Sequence, residues 1–141
     1  MWQYIIDHWG QIWFATWQHL WLVTQCVALG TAIAILLGAL VYRSRAFSSL
    51  ANGVSAVGLT IPELALVGGL ILTPMGFGVT PSVTTVTFYA VLPILRNTIV
   101  GLSGVPRSVV ESARGVGMSR LGAFFRVELP MAWPVILTGM R

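Results

Sequence analysis

The sequence predicts an all-α, polytopic membrane protein, and three observations carry that prediction. Of 141 residues, 56% are hydrophobic and 9% charged, against about 25% charged in an ordinary soluble domain. Three long runs, 20–42, 50–73 and 82–102, carry no charge beyond Glu63 and Arg96. Most of the arginines collect in the polar breaks between these runs, as positive residues do on the cytoplasmic side of a membrane protein. A soluble domain of about 150 residues still leaves roughly a third of its unfolded surface exposed, so much of this apolar surface must face lipid.

The first 19 residues read as an interfacial aromatic helix. Trp9, Trp13, Trp17 and Trp21 stand four apart, which on a helix makes one slowly drifting stripe, and indole rings favour the membrane interface. His8 and His19 flank the stripe with Asp7 as the one nearby acid, a poor set for a metal, and the sequence offers no other ligand cluster. No basic residue precedes Asp7, so the N-terminus does not read as a cleavable signal peptide.

Residues 20–141 form the membrane domain. The first span, about 20–42, is long enough at 1.5 Å per residue to cross a hydrocarbon core of about 30 Å. Within it Gly30, Ala34 and Gly38 repeat every four residues, a stripe of small side chains that lets another helix approach closely. Cys26, the single cysteine, lies in this run; it can form no internal disulfide and reads as a small buried hydrophobe. A second span, about 50–73, is interrupted by Pro62 and Glu63, and "PMGFGVTP" (Pro74 to Pro81) is the turn to a third span, about 82–102. The last apolar piece, 129–141, is too short to cross and reads as the start of a fourth span.

Orientation follows from charge. Arg43 and Arg45 share the cytoplasmic side with the stretch from Arg107 to Arg126, and two spans separate them, so the N-terminus and the Pro74 to Pro81 turn lie outside. The net charge of +4 thereby belongs to membrane topology rather than to nucleic-acid binding.

The loop of about 103–128 is too long and too regular for a tether. It contains "ESARGVGMSRLGAFFRVELP", Glu111 to Pro130. The pattern predicts two short helices joined at glycine, with Leu121, Phe124, Phe125 and Leu129 grouped on one side of the second. Pro130 suits a helical first turn, where its missing N–H breaks no bond.

Glu111, Ser112 and Ala113, then Gly117, then Val127, Leu129 and Pro130 resemble the E-A-A, G, I-x-L-P pattern of the permease subunits of bacterial ABC importers. Ser112 replaces the first alanine of the pattern and Val127 its isoleucine, both close in size. "TIPELALVGGLI", "FYAVLPILRNTIVGLSGVP" and "ELPMAWPVILTGMR" are similar to segments of the glycine betaine, carnitine and choline branch, the osmoprotectant permeases. The resemblance covers most of the chain from about Leu20. It implies the type I ABC importer permease fold in the inner membrane. Permeases of that branch continue past "GMR" with further helices, so the chain reads as C-terminally truncated.

The same resemblance implies that the loop is a coupling segment docking on a separate ATP-binding cassette ATPase. Glu111, Ser112 and Ala113 would meet the partner, Gly117 would make the turn, Leu121, Phe124 and Phe125 would anchor it, and Leu129 and Pro130 would lead into the membrane. A second permease subunit and an extracytoplasmic substrate-binding protein complete the expected partners. No cofactor belongs to this chain, because ATP would be bound by the partner.

The sequence contains no lysine, which excludes a Walker A loop and a Schiff-base lysine. No Cys- or Ser-based triad can be assembled either, so no catalytic residue is assigned and the chain reads as a non-enzyme. Pro62 and Glu63 lie midway along a span, where the proline should free a carbonyl near Gly58. Three readings of Glu63 stand: contact with a cationic substrate, internal pairing with Arg96, or a position nearer the interface; Arg96 could instead snorkel to headgroups. The rival to an importer is a small proton-coupled cation or drug antiporter using Glu63, which leaves the long loop unexplained, or a membrane subunit without transport activity, which the truncation leaves open.

Overall fold

The structure, a computed structural model, describes residues 2–141, and every described element is helical. The expected N-terminal helix of residues 1–19 begins at Met1, which lies outside the described residues. Helix α1 (Trp2–Asp7) is separated by His8 alone from α2 (Trp9–Val41), whose 33 residues run unbroken through positions 19 and 20. At 1.5 Å per residue α2 is roughly 50 Å long, well over the roughly 30 Å of a hydrocarbon core. Its N-terminal half leaves Trp9, Trp13, Trp17 and Trp21 exposed, while Cys26, Gly30, Ala34 and Gly38 form its buried edge.

That edge packs on α5 (Val79–Ser103), the central helix of the bundle. A Cβ placed on Gly38 would lie 2.5 Å from Thr98 Cγ2, and one on Gly30 would lie 3.0 Å from Ala90 Cβ. The backbones therefore meet at a distance that only glycine permits. The Cys26 thiol faces the Val83 carbonyl at 3.8 Å. The partners of 26, 30 and 38 thus advance along α5 in the same direction as α2, and the two helices run parallel.

Parallel spans require the chain between them to cross back, and α3 (Arg45–Gly58) with α4 (Glu63–Ile71) does so. The α2–α3 turn is closed by the Ser44 N–H and the Ser48 hydroxyl, which both donate to the Val41 carbonyl, at 3.0 and 2.9 Å. Helix α3 runs antiparallel to α5, with Gly58 against Leu92 and Phe88. The 50–73 segment is not a straight rod: its two helices meet at 87°. Pro62 causes the break, since it lacks an N–H and adopts the extended ψ of 131° as the residue preceding α4.

The Gly58 carbonyl is not free as the sequence suggested, because it accepts from the Ile61 N–H at 3.3 Å. The chain tightens after Gly58 instead of continuing as α-helix, and Ile61 is the residue whose carbonyl takes a tertiary bond, from the Tyr89 hydroxyl. Helix α5 starts three residues ahead of the expected Ser82. Pro81 fits its first turn, where a missing N–H has no helical partner to lose.

Helix α6 (Arg107–Gly115) follows α5, and after a turn the chain stays helical from Arg120 to Thr138 through α7 (Arg120–Ala123), a π turn (Phe124–Glu128) and α8 (Leu129–Thr138). The apolar piece read as starting at Leu129 is therefore the end of a longer helix, and 120–138 is long and apolar enough to cross a membrane. Helix α8 returns antiparallel to α5: Gly101 sits beside Ala132, and Gly139 beside Pro93 and Ile94. Ala34, Ile94, Leu95, Ile99, Leu102, Ala132 and Ile136 form the shared core.

Candidate functional site

The sequence-predicted coupling residues lie on a helix–turn–helix that projects from the ends of α5 and α8. Helix α6 is amphipathic: Ala113 is buried, whereas Glu111, Ser112 and Arg114 are exposed. Its end is a Schellman motif, with the Met118 N–H donating to the Ala113 carbonyl at 3.2 Å and the Gly117 N–H to Arg114 at 3.0 Å. Gly117 holds φ at +92°, a conformation L side chains rarely adopt, so glycine is required there. Ser119 then opens the next helix by accepting the Gly122 N–H at 3.1 Å.

The structure divides the apolar residues that the sequence grouped together. Leu121 and Phe125 are 71% and 62% exposed and, with the 78% exposed Val116, give the loop an outward apolar surface. Phe124 and Leu129 instead turn inward onto the core. Phe124 packs against Tyr42 with ring centroids 6.4 Å apart and meets Phe125 edge-on at 5.0 Å. Pro130 is exposed in the first turn of α8.

The π turn ahead of Pro130 widens the helix by one residue, with the Leu129 N–H reaching the Phe124 carbonyl. Such a turn eases the clash a proline ring makes with the preceding turn. It also aims Glu128 into the protein, where the residue is 4% exposed. The Tyr42 hydroxyl donates to Glu128 Oε2 at 2.6 Å, and Arg43 Nη2 donates to Oε1 at 3.1 Å. Arg43 Nε also donates to the Tyr42 hydroxyl at 2.6 Å, with the guanidinium carbon 5.1 Å from the Tyr42 ring centroid. Burial disfavours the Arg43 charge, but the Tyr42 hydroxyl and the Glu128 carboxylate outweigh it and hold its pKa above the ordinary arginine value.

Tyr42 and Glu128 were not picked out from the sequence, and Arg43 only as a marker of orientation, although a signal for their cluster existed. Glu128 lies four residues after Phe124 and seven after Leu121, on a face otherwise apolar. A carboxylate there needs a partner, and the arginine at the end of the first span supplies it. This cluster ties the loop to α2 and forms one wall of a cleft of about 590 Å3 between the α2–α3 turn, the end of α5, and α6 and α7. Glu111 lines the same cleft.

Glu63 and Arg96 are not brought together. Glu63 is exposed at the first position of α4, and Arg96 is exposed on α5. Arg96 is seven residues beyond Tyr89, the residue that touches Ile61, which places it about 10 Å further along the axis. Among the described residues the ion pair present is Arg43–Glu128, and no group of His, Cys, Asp and Glu could hold a metal.

Residues 30–141 match the family described as "Binding-protein-dependent transport system inner membrane component". The chain is 41% identical, over 98% of its length, to the osmoprotectant import permease protein OsmW of Salmonella typhimurium, covering 66% of that protein. It is 40% identical over 89% of its length to the carnitine transport permease protein OpuCB of Listeria monocytogenes, covering 57%. Against the choline transport system permease protein OpuBB of Bacillus subtilis it is 34% identical over 99% of its length, covering 64%. The chain thus spans about three fifths of the length of these relatives. With its apolar helices, its loop between them and this match over most of its length, the chain belongs to the family of binding-protein-dependent transport system inner membrane components.

Proposed function

We propose that this chain is permease sequence of an ATP-driven importer of quaternary-amine osmoprotectants, the glycine betaine, choline and carnitine class, and is itself not an enzyme. The observation that carries the reading is the helix–turn–helix of residues 107–128, with its fixed Gly117 turn and the outward Val116, Leu121 and Phe125. Exposed apolar side chains beside the charged Glu111 and Arg114 suit a protein partner with a matching groove. That partner is an ATP-binding cassette ATPase, whose closure pushes the loop as a rigid body and rocks the helices between outward and inward access.

Glu111 and Ser112 present polar contacts to the ATPase, Ala113 seats α6 on the bundle beneath them, Gly117 sets the angle between the two short helices, and Leu121 and Phe125 insert. Phe124, Leu129 and Pro130 transmit the motion into the bundle. An extracytoplasmic binding protein delivers the substrate, and a second permease subunit completes the pathway. Glu63, at the break after Pro62, and Arg96 face that pathway as polar groups within largely apolar helices. Positive-inside distribution supports an inner-membrane orientation with the arginine-rich end cytoplasmic and the N-terminus outside. A proton-coupled antiporter would use Glu63 but gives the long loop no role.

The test is uptake of radiolabelled betaine by cells carrying the complete transport operon. Gly117→Val and Phe125→Glu should each lower ATP-dependent uptake by at least about tenfold while the permease still reaches the membrane. Uptake that persists on a proton gradient after ATP depletion, unaffected by either change, would sink the importer reading.

A further inference from the structure

We propose that the arginine-walled cleft at the loop end of the bundle binds a phosphate group, that of an anionic phospholipid headgroup. Five arginines from separate parts of the chain surround its space of about 590 Å3: Arg43, Arg45, Arg107, Arg114 and Arg120. Two acids, Glu111 and Glu128, line it as well. Glu128 is engaged by Arg43, and among the described residues no carboxylate lies within 4.0 Å of the guanidinium of Arg45, Arg107, Arg114 or Arg120. Like charges converging on a concave surface focus a positive potential, which an anion relieves. Guanidinium matches phosphate by paired, charge-assisted hydrogen bonds.

Position and shape select a lipid. Tyr42 and Ser103 mark where α2 and α5 end, so the cleft begins at the level where spans leave the hydrocarbon. Leu102, Val105 and Ala123 line its inner end; Leu102 and Ala123 are nearly buried and Val105 half-buried, so the cleft is closed there by an apolar floor joined to the bundle core. A ligand with a charged head and an apolar body fits both halves. Basic pockets between spans on the cytoplasmic side take lipid headgroups for these reasons. The inference rests on the proposed orientation, with this end at the cytoplasmic leaflet.

The purified permease–ATPase complex in detergent, titrated with dioleoyl-phosphatidylglycerol and separately with dioleoyl-phosphatidylcholine, tests it by native mass spectrometry of retained lipid. Phosphatidylglycerol should be retained preferentially. Its affinity should fall about fivefold for each arginine removed in Arg45→Gln, Arg107→Gln, Arg114→Gln and Arg120→Gln. Arg126→Gln, in the same loop but outside the cleft, should leave it unchanged. Equal retention of the two lipids, or an equal loss in Arg126→Gln, overturns the site. Displacement of the lipid by millimolar inorganic phosphate keeps the phosphate chemistry but overturns the lipid as occupant. Betaine uptake measured in the same variants separates this from the importer reading: lipid retained by a complex that moves no betaine removes the importer alone. Uptake intact without selective lipid retention removes the lipid site alone.

Discussion

Glu128 shows how one residue can join a loop to a membrane helix. It is a nearly buried carboxylate whose two oxygens are engaged by different groups, the Tyr42 hydroxyl and the Arg43 guanidinium. The partners are unequal, since the Arg43 side chain is 54% exposed and that of Glu128 is 5% exposed. Water can therefore replace what Arg43 loses, but not what Glu128 loses. Glu128→Gln, which keeps an acceptor for Tyr42, should cost about 1 kcal/mol. Arg43→Gln leaves the acid buried with a single neutral partner and should cost about 2–3 kcal/mol, below the usual penalty for breaking a fully buried pair because water reaches the site. The double variant should recover most of that difference. Thermal unfolding of the purified protein, analysed as a double-mutant cycle, checks the order, and an Arg43 variant milder than the Glu128 variant would refute this account.

At the scale of elements, the close approach of α2 and α5 decides which glycines are replaceable. A methyl group on Gly38 would sit 2.5 Å from Thr98 Cγ2, and Thr98 is fully buried with its hydroxyl bonded to the Ile94 carbonyl at 2.7 Å. Gly38→Ala should therefore force the helices apart and cost about 1–3 kcal/mol. Gly53, inside α3, has nothing within 4 Å of the same position, so Gly53→Ala should stabilise by about 0.5–1 kcal/mol through helix propensity alone. Opposite signs in melting temperature are the expected result, and equal effects would mean that the α2–α5 contact is not tight. The stripe of Gly30, Ala34 and Gly38 was legible in the sequence because four-residue spacing fixes one helical face regardless of the partner. The Gly117 turn was legible as well. The π turn was not, because widening by one residue depends on where Phe124, Glu128 and Pro130 must point at once. Pro62 announced a break, yet its 87° angle depends on packing against α5 that no local spacing encodes.

For the whole molecule, direction is the property that function needs. Parallel α2 and α5, with α3–α4 and α8 returning between them, bring Arg43, Arg45, Arg107, Arg114 and Arg120 around one cleft although they come from segments far apart in sequence. Charge in the sequence suggested this grouping, and the packing register accounts for it. The consequence is testable without transport. Cys26 is 2% exposed against α5, so Cys26→Ala removes the one cysteine of these 141 residues at the cost of a small side chain, and any cysteine elsewhere in the full permease is replaced likewise. Single cysteines are then placed in the full permease at Ser112, in the loop, and at Thr80, at the opposite end of α5. A membrane-impermeant maleimide should label Ser112→Cys only in inside-out vesicles and Thr80→Cys only in right-side-out vesicles. Reversed labelling would overturn the orientation and, with it, the placement of the loop beside a cytoplasmic ATPase. Labelling of both positions from the same side would instead show that α5, although long and apolar enough to cross a membrane, does not cross.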